Sequence, residues 1–411
     1  MIKSISRGAA VVSRGAAVVL SGSSLALAAA MVPADAAAAP GWRTAAVVSV
    51  PGDETLLSGV AAVSARDGWA VGYAAKSSGK EPAGLVEHWD GRSWRRVTLP
   101  ARVAKKWAAG SPFQVIGASS STNVWAFDEA GGAKPGVIFL RLNGRRWTTG
   151  ILPGTAGAGG LVTVTAVQVL GKSDAWVFGG KLKATTKQVS FVPYAAHFDG
   201  KRWSAVRVPG SSEITAVSSV SALNIWAVTG SGGLSGIGSA APTSTVLHWN
   251  GDSWRRAAVQ PASLPAGSDL TSVVAGPGNG VVVGGDVPTA SGGTKTDFTD
   301  QFNGSSWTSP ADLPGSASKG SAFPNQVESL VPDGSGGLWA LGGSLAGSAS
   351  KLWHYTGDKW STAISPRFGA SKRELLQLAA VPGTRTVWGV GAVERGSRAD
   401  GLIAVAGPAP R

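Results

Sequence analysis

The sequence predicts an all-β protein: a seven-bladed β-propeller of four-stranded antiparallel blades, with the N-terminal strand completing the last blade and closing the ring. Three observations carry this. A short phrase ending in tryptophan is written six times: "VEHWDGRSW", "LRLNGRRW", "AHFDGKRW", "LHWNGDSW", "DQFNGSSW" and "WHYTGDKW". Its final tryptophans, Trp94, Trp147, Trp203, Trp254, Trp307 and Trp360, recur at steps of 53, 56, 51, 53 and 53 residues. A period near fifty marks propeller blades or another repeat array. Glycine is abundant, 58 of 411 residues, and no long stretch has a helical apolar period, so the chain reads as strands joined by turns.

Residues 1–36 read as a secretory signal and 37–411 as the propeller. The leader has a basic start, "MIKSISRGAAVVSR", an apolar run from Gly15 to Val32, and small residues Ala34 and Ala36 before an expected cleavage. The competing reading is an uncleaved membrane anchor, but serines, glycines and Pro33 make Gly15–Ala34 a poor span. The protein is therefore expected outside the cell, free of the membrane once cleaved, and monomeric.

Each unit then divides into four strands. First comes an inner apolar run such as "GVAAVSA", "VTVTAVQVL" or "ITAVSSVS". A tryptophan run follows, holding Trp69, Trp125, Trp176, Trp226, Trp339 or Trp388; in "GVVVGGD" Val282 or a neighbouring valine takes that place. The third and fourth strands form the hairpin of the repeated phrase. Its Asp-Gly or Asn-Gly corner suits a two-residue type I′ turn, which needs positive φ at both central residues. That turn would oppose Trp89 to Arg92 and Glu87 to Trp94, with Trp89 and Trp94 on one sheet face. Four such strands have too little core alone, and stacking them radially buries both faces. Each buried tryptophan removes about 150–250 Å² from water, worth about 4–6 kcal/mol as an upper bound.

Counting units predicts the closure. Seven inner runs and seven second runs precede only six hairpins. The seventh unit ends at "GLIAVAG", one strand short. The spare strand, Trp42–Pro51, lies at the other end, with Trp42 one period before Trp94.

The net charge of +13 favours anionic partners. With no cysteine, disulfides, thiolate metal sites, a cysteine nucleophile and a lipoprotein anchor are excluded.

The unit "WAVG … HWDG–W" resembles the kelch repeat, in which a hydrophobic strand ends in Gly-Gly, a later strand carries an aromatic and the next a tryptophan. The double glycine is present at Gly179-Gly180, Gly284-Gly285 and Gly342-Gly343, and the aromatic is Trp89, Phe198, Trp249, Phe302 or Tyr355, with Leu142 as the exception. More closely, the chain looks like the Trp-rich secreted propeller proteins common in actinomycetes. The resemblance covers nearly all of 37–411 and implies a kelch-like propeller. Such folds host both binding modules and enzymes, so fold does not settle function. The galactose-oxidase relatives need a Tyr–Cys crosslink, which this chain cannot make. The sialidase relatives need converging arginines and a tyrosine nucleophile. Of three tyrosines here, Tyr355 fills a repeat position, while Tyr73 and Tyr194 have no recognisable partners.

The four histidines, His88, His197, His248 and His354, occupy one repeat position and are read as structural, since equivalent sites on separate blades do not converge. Asp67, Asn123, Asp174 and Asn224, each two residues before a series tryptophan, are read as turn formers. Asp128, Glu129 and Asp286 follow tryptophan runs outside the pattern. Two of them from different blades would form a glycosidase pair; solvated loop acids are the plainer account. The basic residues Lys105, Lys106, Lys181, Lys183 and Arg373, with Trp107, fall on loops of one propeller face. There Trp107 would stack on a sugar ring or instead fold over the blade as packing. No metal or cofactor is expected.

The first functional expectation is a non-enzymatic binding module for an anionic cell-surface polymer, a glycan or a protein. Nucleic acid is disfavoured in an exported protein. A glycan hydrolase using loop carboxylates and a purely structural scaffold are the alternatives.

Overall fold

The apolar runs, rich in valine, alanine and tryptophan and bounded by Gly, Asp and Asn, form strands throughout. The computed structural model describes residues 41–408 apart from 77–81, 108–113, 129–135, 157–160, 185–188, 231–243, 259, 262–263, 265–267, 277–279, 289–294, 310–312, 316–326, 343–349, 364–372 and 397. Residues 1–36, expected to be a leader, lie outside the described residues.

The chain enters through β1 (Arg43–Val48) and then writes blades in order. Blade 1 is β2 (Asp53–Ser64), β3 (Asp67–Lys76), β4 (Ala83–Trp89) and β5 (Trp94–Arg96), followed by a short helix, α1 (Ala101–Trp107). Blade 2 is β6 (Gln114–Ser120), β7 (Asn123–Asp128), β8 (Ile138–Asn143) and β9 (Arg146–Ile151). Blade 3 is β10 (Val162–Gly171), β11 (Asp174–Ala184), β12 (Val189–Phe198) and β13 (Trp203–Ala205). Blade 4 is β14 (Glu213–Ser221), β15 (Asn224–Gly230), β16 (Thr245–Trp249) and β17 (Trp254–Arg256). Blade 5 is β18 (Asp269–Ala275), β19 (Val281–Pro288), β20 (Lys295–Phe302) and β21 (Trp307–Thr308). Blade 6 is β22 (Val327–Pro332), β23 (Leu338–Gly342), β24 (Lys351–Tyr355) and β25 (Trp360–Ala363).

Blade 7 has β26 (Arg373–Ala380), β27 (Val387–Arg395) and β28 (Arg398–Ala406), and its fourth strand is β1. The two run antiparallel from Arg43↔Val405 to Val48↔Gly401, the closure read from the sequence. Thr55 fastens the join to blade 1. Its hydroxyl donates to Val48 O at 2.6 Å and accepts from Gly401 N at 2.8 Å.

Tryptophan sets the blade spacing. The second-strand tryptophan of one blade meets the fourth-strand tryptophan of the next: Trp69 with Trp147 at 5.9 Å, Trp125 with Trp203 at 5.1 Å, Trp176 with Trp254 at 6.1 Å and Trp388 with Trp94 at 5.3 Å. Trp42 takes the fourth-strand place in blade 7, edge-on to Trp339. Val282 stands at the tryptophan position of blade 5, opposite Gln301, and packs in the same core as Trp360.

The hairpin register differs from the two-residue reading. Trp89 pairs with Trp94, not with Arg92. The corner is four residues long because Asp90 caps it: Oδ1 accepts the N–H groups of Arg92 and Ser93, each at 2.9 Å, and Gly91 takes φ 89°. Blade 2 alone among the six phrases pairs Asn143 with Arg146 around Gly144-Arg145. Both arrangements oppose the phrase's aromatic position to its final tryptophan, so the two share a face as expected.

A second stitch runs along the inner strands, where an extra residue bulges out of register. In blades 3, 4 and 5 that residue is threonine. Thr165 donates to Ile214 O at 2.6 Å, Thr215 to Leu270 O at 2.6 Å and Thr271 to Val327 O at 2.5 Å, each reaching the next blade.

Candidate functional site

Antiparallel blades have two unlike ends. The loop end carries the inter-blade links and the loops between second and third strands. The hairpin end carries the tight turns.

At the loop end α1 follows Pro100, whose carbonyl accepts from Val103 and Ala104. Val103 and Trp107 lie four residues apart and turn inward together, while Arg102, Lys105 and Lys106 are exposed. The last two sit in the final turn, where cations complement the helix carbonyls. Trp107 is 1 % exposed, packed with Val86, Ile116 and Leu140. A Cβ at Gly84 would lie 2.3 Å from its Cδ1, so the indole occupies space only glycine leaves free. Of the two roles weighed for Trp107, burial supports packing: it offers no ring face to a ligand.

Lys181 and Lys183 lie near the end of β11, Lys183 exposed and Lys181 half-buried. Arg373 opens β26 beside Val393 and is also half-buried. All five basic residues are at the loop end, spread over α1, blade 3 and blade 7.

Asp128 and Asp286 are buried at this end, whereas Glu54 in blade 1 and Glu374 and Glu394 in blade 7 are exposed. Asp128, 2 % exposed, accepts the Ile138 N–H at 2.6 Å and ties β8 to β7. Glu129 lies outside the described residues. Asp286 is fully buried, and its cross-strand neighbours are Asp269 on β18 and Asp297 on β20. Asp286 thus belongs to a row of three acids within blade 5. Burial first, then the neighbouring charge of Asp286, pushes the Asp297 carboxyl up to about 8, opposed by Lys351 and assisted by Glu328 of blade 6. Neither Asp297 oxygen finds a hydrogen-bond donor among the described residues. One carboxyl held protonated beside another has the proton inventory of acid–base chemistry. At 0 and 2 % exposure neither meets a substrate in this structure.

The hairpin end explains the histidines. Trp69 opposes His88, and Asp67, two residues before Trp69, shares its face. His88 Nε2 therefore lies 2.9 Å from Asp67 Oδ1, and the imidazole stacks on Trp69 with centroids 4.0 Å apart. The set recurs as Asp174–His197–Trp176, Asn224–His248–Trp226 and Asp333–His354–Trp339. In blade 2 Arg141 replaces histidine, its guanidinium 4.4 Å from the Trp125 ring centre. The histidines stay on separate blades. Asp67, Asp174 and Asn224, expected as turn formers, share a face with the tryptophan two positions on, whereas Asp333, which sequence alone did not single out, lies six positions before Trp339. Among the described residues, no three His, Asp or Glu side chains are placed to hold a metal ion, and no helix is long and apolar enough to cross a membrane.

No protein-family model matches the chain, and no curated protein sequence matches it. Solved structures do. A polysaccharide lyase, Uly1, is 7 % identical, covering 89 % of this chain and 90 % of its own, at TM-score 0.50. YCF48 bound to D1 peptide is 15 % identical, covering 92 % of this chain and all of its own, at TM-score 0.48. A fucose-specific lectin from Aleuria aurantia is 13 % identical over 78 % of this chain and 98 % of its own, at TM-score 0.46. At such identities the likeness shows the fold alone.

Proposed function

We propose that the protein is an exported, non-enzymatic binding module whose loop end engages an anionic cell-surface polymer. One observation supports this above the others. From α1 to blade 3, Arg102, Lys105, Lys106 and Lys183 are exposed, whereas Asp128, the carboxylate closing β7 in the same sector, is buried. Among the described residues of that sector the charge offered to solvent is positive, and a positive surface draws polyanions. Lys181 extends the same charge inward, and Arg373 lies apart from it on blade 7. The leader at 1–36 delivers the propeller outside the cell, consistent with a kelch-like, Trp-rich exported repeat protein.

The test is retention of the 37–411 chain on purified Gram-positive cell wall, with and without its anionic polymers, across a salt series. Salt-sensitive retention that vanishes with the polymers, and that weakens in Lys105→Ser/Lys106→Ser/Lys183→Ser, supports the reading. Retention on stripped wall that ignores salt overturns it and points to a neutral glycan or a protein partner. A hydrolase is the weaker reading, because Asp128, Asp286 and Asp297 are all buried. Release of reducing sugar from a wall polymer, lost in Asp286→Asn, would reinstate it.

A further inference from the structure

The hairpin end carries a second set of cations that the fold does not require. Arg92 in blade 1, Arg145 and Arg146 in blade 2, Lys201 and Arg202 in blade 3, and Arg255 in blade 4 are all exposed. Blade 5 builds the same tip without charge. In "NGSSW" Gly304 takes φ 99°, Ser305 and Ser306 donate their N–H groups to Asn303 Oδ1 at 2.9 Å, and Phe302 pairs with Trp307. In blade 3 Gly200 takes φ 93°, Lys201 and Arg202 donate to Asp199 Oδ1 at 2.9 and 2.8 Å, and Phe198 pairs with Trp203. The backbone device is the same, so serine would serve in place of Lys201 and Arg202. Structural need does not explain the cations.

Their arrangement suits one kind of ligand. Arg92, Arg145 and Lys201 occupy one equivalent position on blades 1–3 and Arg146 and Arg202 the next, while in blade 4 Asp252 and Ser253 hold those places and Arg255 follows Trp254. Charge therefore recurs at the blade spacing from blade 1 to blade 3 and is carried on in blade 4 from the next strand position. Blade 6 breaks the run, with Asp358 and Lys359 side by side at its tip. The acids within the run partly offset it. Asp90 and Asp199 spend Oδ1 on backbone N–H groups, and Asp90 Oδ2 also holds Arg95 Nε at 3.1 Å. In blades 2 and 4 the corner residue is instead Asn143 or Asn250, which carries no charge; Asp252 remains at the blade 4 tip. There Ser253 Oγ accepts from Arg255 Nε at 3.2 Å, as Ser93 does from Arg95 at 3.0 Å. That bond orients the guanidinium and leaves its two Nη groups for a ligand. A fixed guanidinium fork matches the oxygens of a phosphate. A row of cations matches a chain of phosphates better than a single ion.

We propose that the hairpin end of blades 1–4 is a docking surface for a linear, phosphate-bearing polymer. It lies opposite the loop end and is independent of the reading given for that end.

Long-chain inorganic polyphosphate is the probe and orthophosphate the monomer control. Two variants of the 37–411 chain separate the ends. The first copies blade 5 into its neighbours: Arg145→Ser, Arg146→Ser, Lys201→Ser and Arg202→Ser after Ser305 and Ser306, and Arg255→Thr after Thr308. The second is Lys105→Ser/Lys106→Ser/Lys183→Ser. The first variant is expected to melt like the parent, to bind polyphosphate at least about tenfold more weakly, and to show a shallower salt dependence by about four ions. The pairs Arg145→Ser/Arg146→Ser and Lys201→Ser/Arg202→Ser, made separately, should each flatten that slope by about two. Parent-like binding and slope in the first variant overturn the proposal, as does parent binding of polyphosphate no tighter than orthophosphate. In either event, wall retention that still responds to the second variant leaves the loop-end reading standing.

Discussion

Trp42 stands edge-on to Trp339, with ring centroids 5.4 Å apart and planes 82° apart, although 297 positions separate them in the chain. The contact puts β1 in the ring as a working strand. Its loss removes the outer strand of blade 7 and the aromatic wedge between blades 6 and 7 together. Deleting residues through Pro51 is therefore expected to lower the melting temperature sharply and broaden the transition. An unchanged melting curve would show that the ring does not depend on its closure.

Trp203 tests the same device inside the ring. It pairs with Phe198, meets Trp125 edge-on at 5.1 Å and Phe127 at 5.6 Å, and is 8 % exposed. Trp203→Ala should cost about 3–5 kcal/mol in urea unfolding, the usual range for a buried aromatic truncation. A loss below about 1 kcal/mol would mean the interlocking rings contribute little.

Gly84 and Trp107 form a matched pair, because a methyl at one invades the ring of the other. Gly84→Ala should destabilise by about 1–3 kcal/mol through overpacking. Trp107→Ala should cost about 3–5 kcal/mol through the void it leaves. Combined, the two should fall short of additivity by more than about 0.5 kcal/mol, since the methyl then has room. Strict additivity in the double-mutant cycle would refute the contact.

Asp297 gives the protein a pH dependence of stability. Folded, its carboxyl holds its proton up to about 8; unfolded, an aspartate releases it near 3.8. Between these values the folded chain keeps a proton that the unfolded chain has lost. Stability therefore falls as pH rises from about 4 to about 8 and levels off above. Asp297→Asn keeps a neutral group in place and should remove this slope. Melting temperatures at pH 5, 6, 7 and 8 decide it: equal slopes in parent and variant would rule Asp297 out as the cause.

The sequence already contained the blade count and the closure. Both follow from counting, because each blade must repeat one pattern of strands and the tryptophans mark the period. The same-face placement of Trp89 and Trp94 was also legible, since alternation along a strand is fixed by the pleat. The register was not. Whether Trp89 opposes Arg92 or Trp94 depends on how many residues the corner takes, and Asp90 set that by capping two N–H groups. His88 and Asp67 were each visible, but their bond needed the pairing of β3 with β4. Trp107 was seen as a tryptophan outside the repeat, yet the space beneath it is made by Gly84, which lies 23 positions earlier.

By itself, then, the sequence determined the architecture: seven antiparallel sheets, an aromatic seam at each junction and a first strand completing the last sheet. Periodicity and alternation are one-dimensional properties and survive being read along the chain. Tertiary structure decided everything that depends on two strands or two blades meeting. It buried Asp286 beside Asp297, carried Thr215 across to Leu270, and turned Trp107 inward while leaving Lys105 and Lys106 exposed. Those outcomes depend on distance, burial and dielectric, which arise only when distant segments share space.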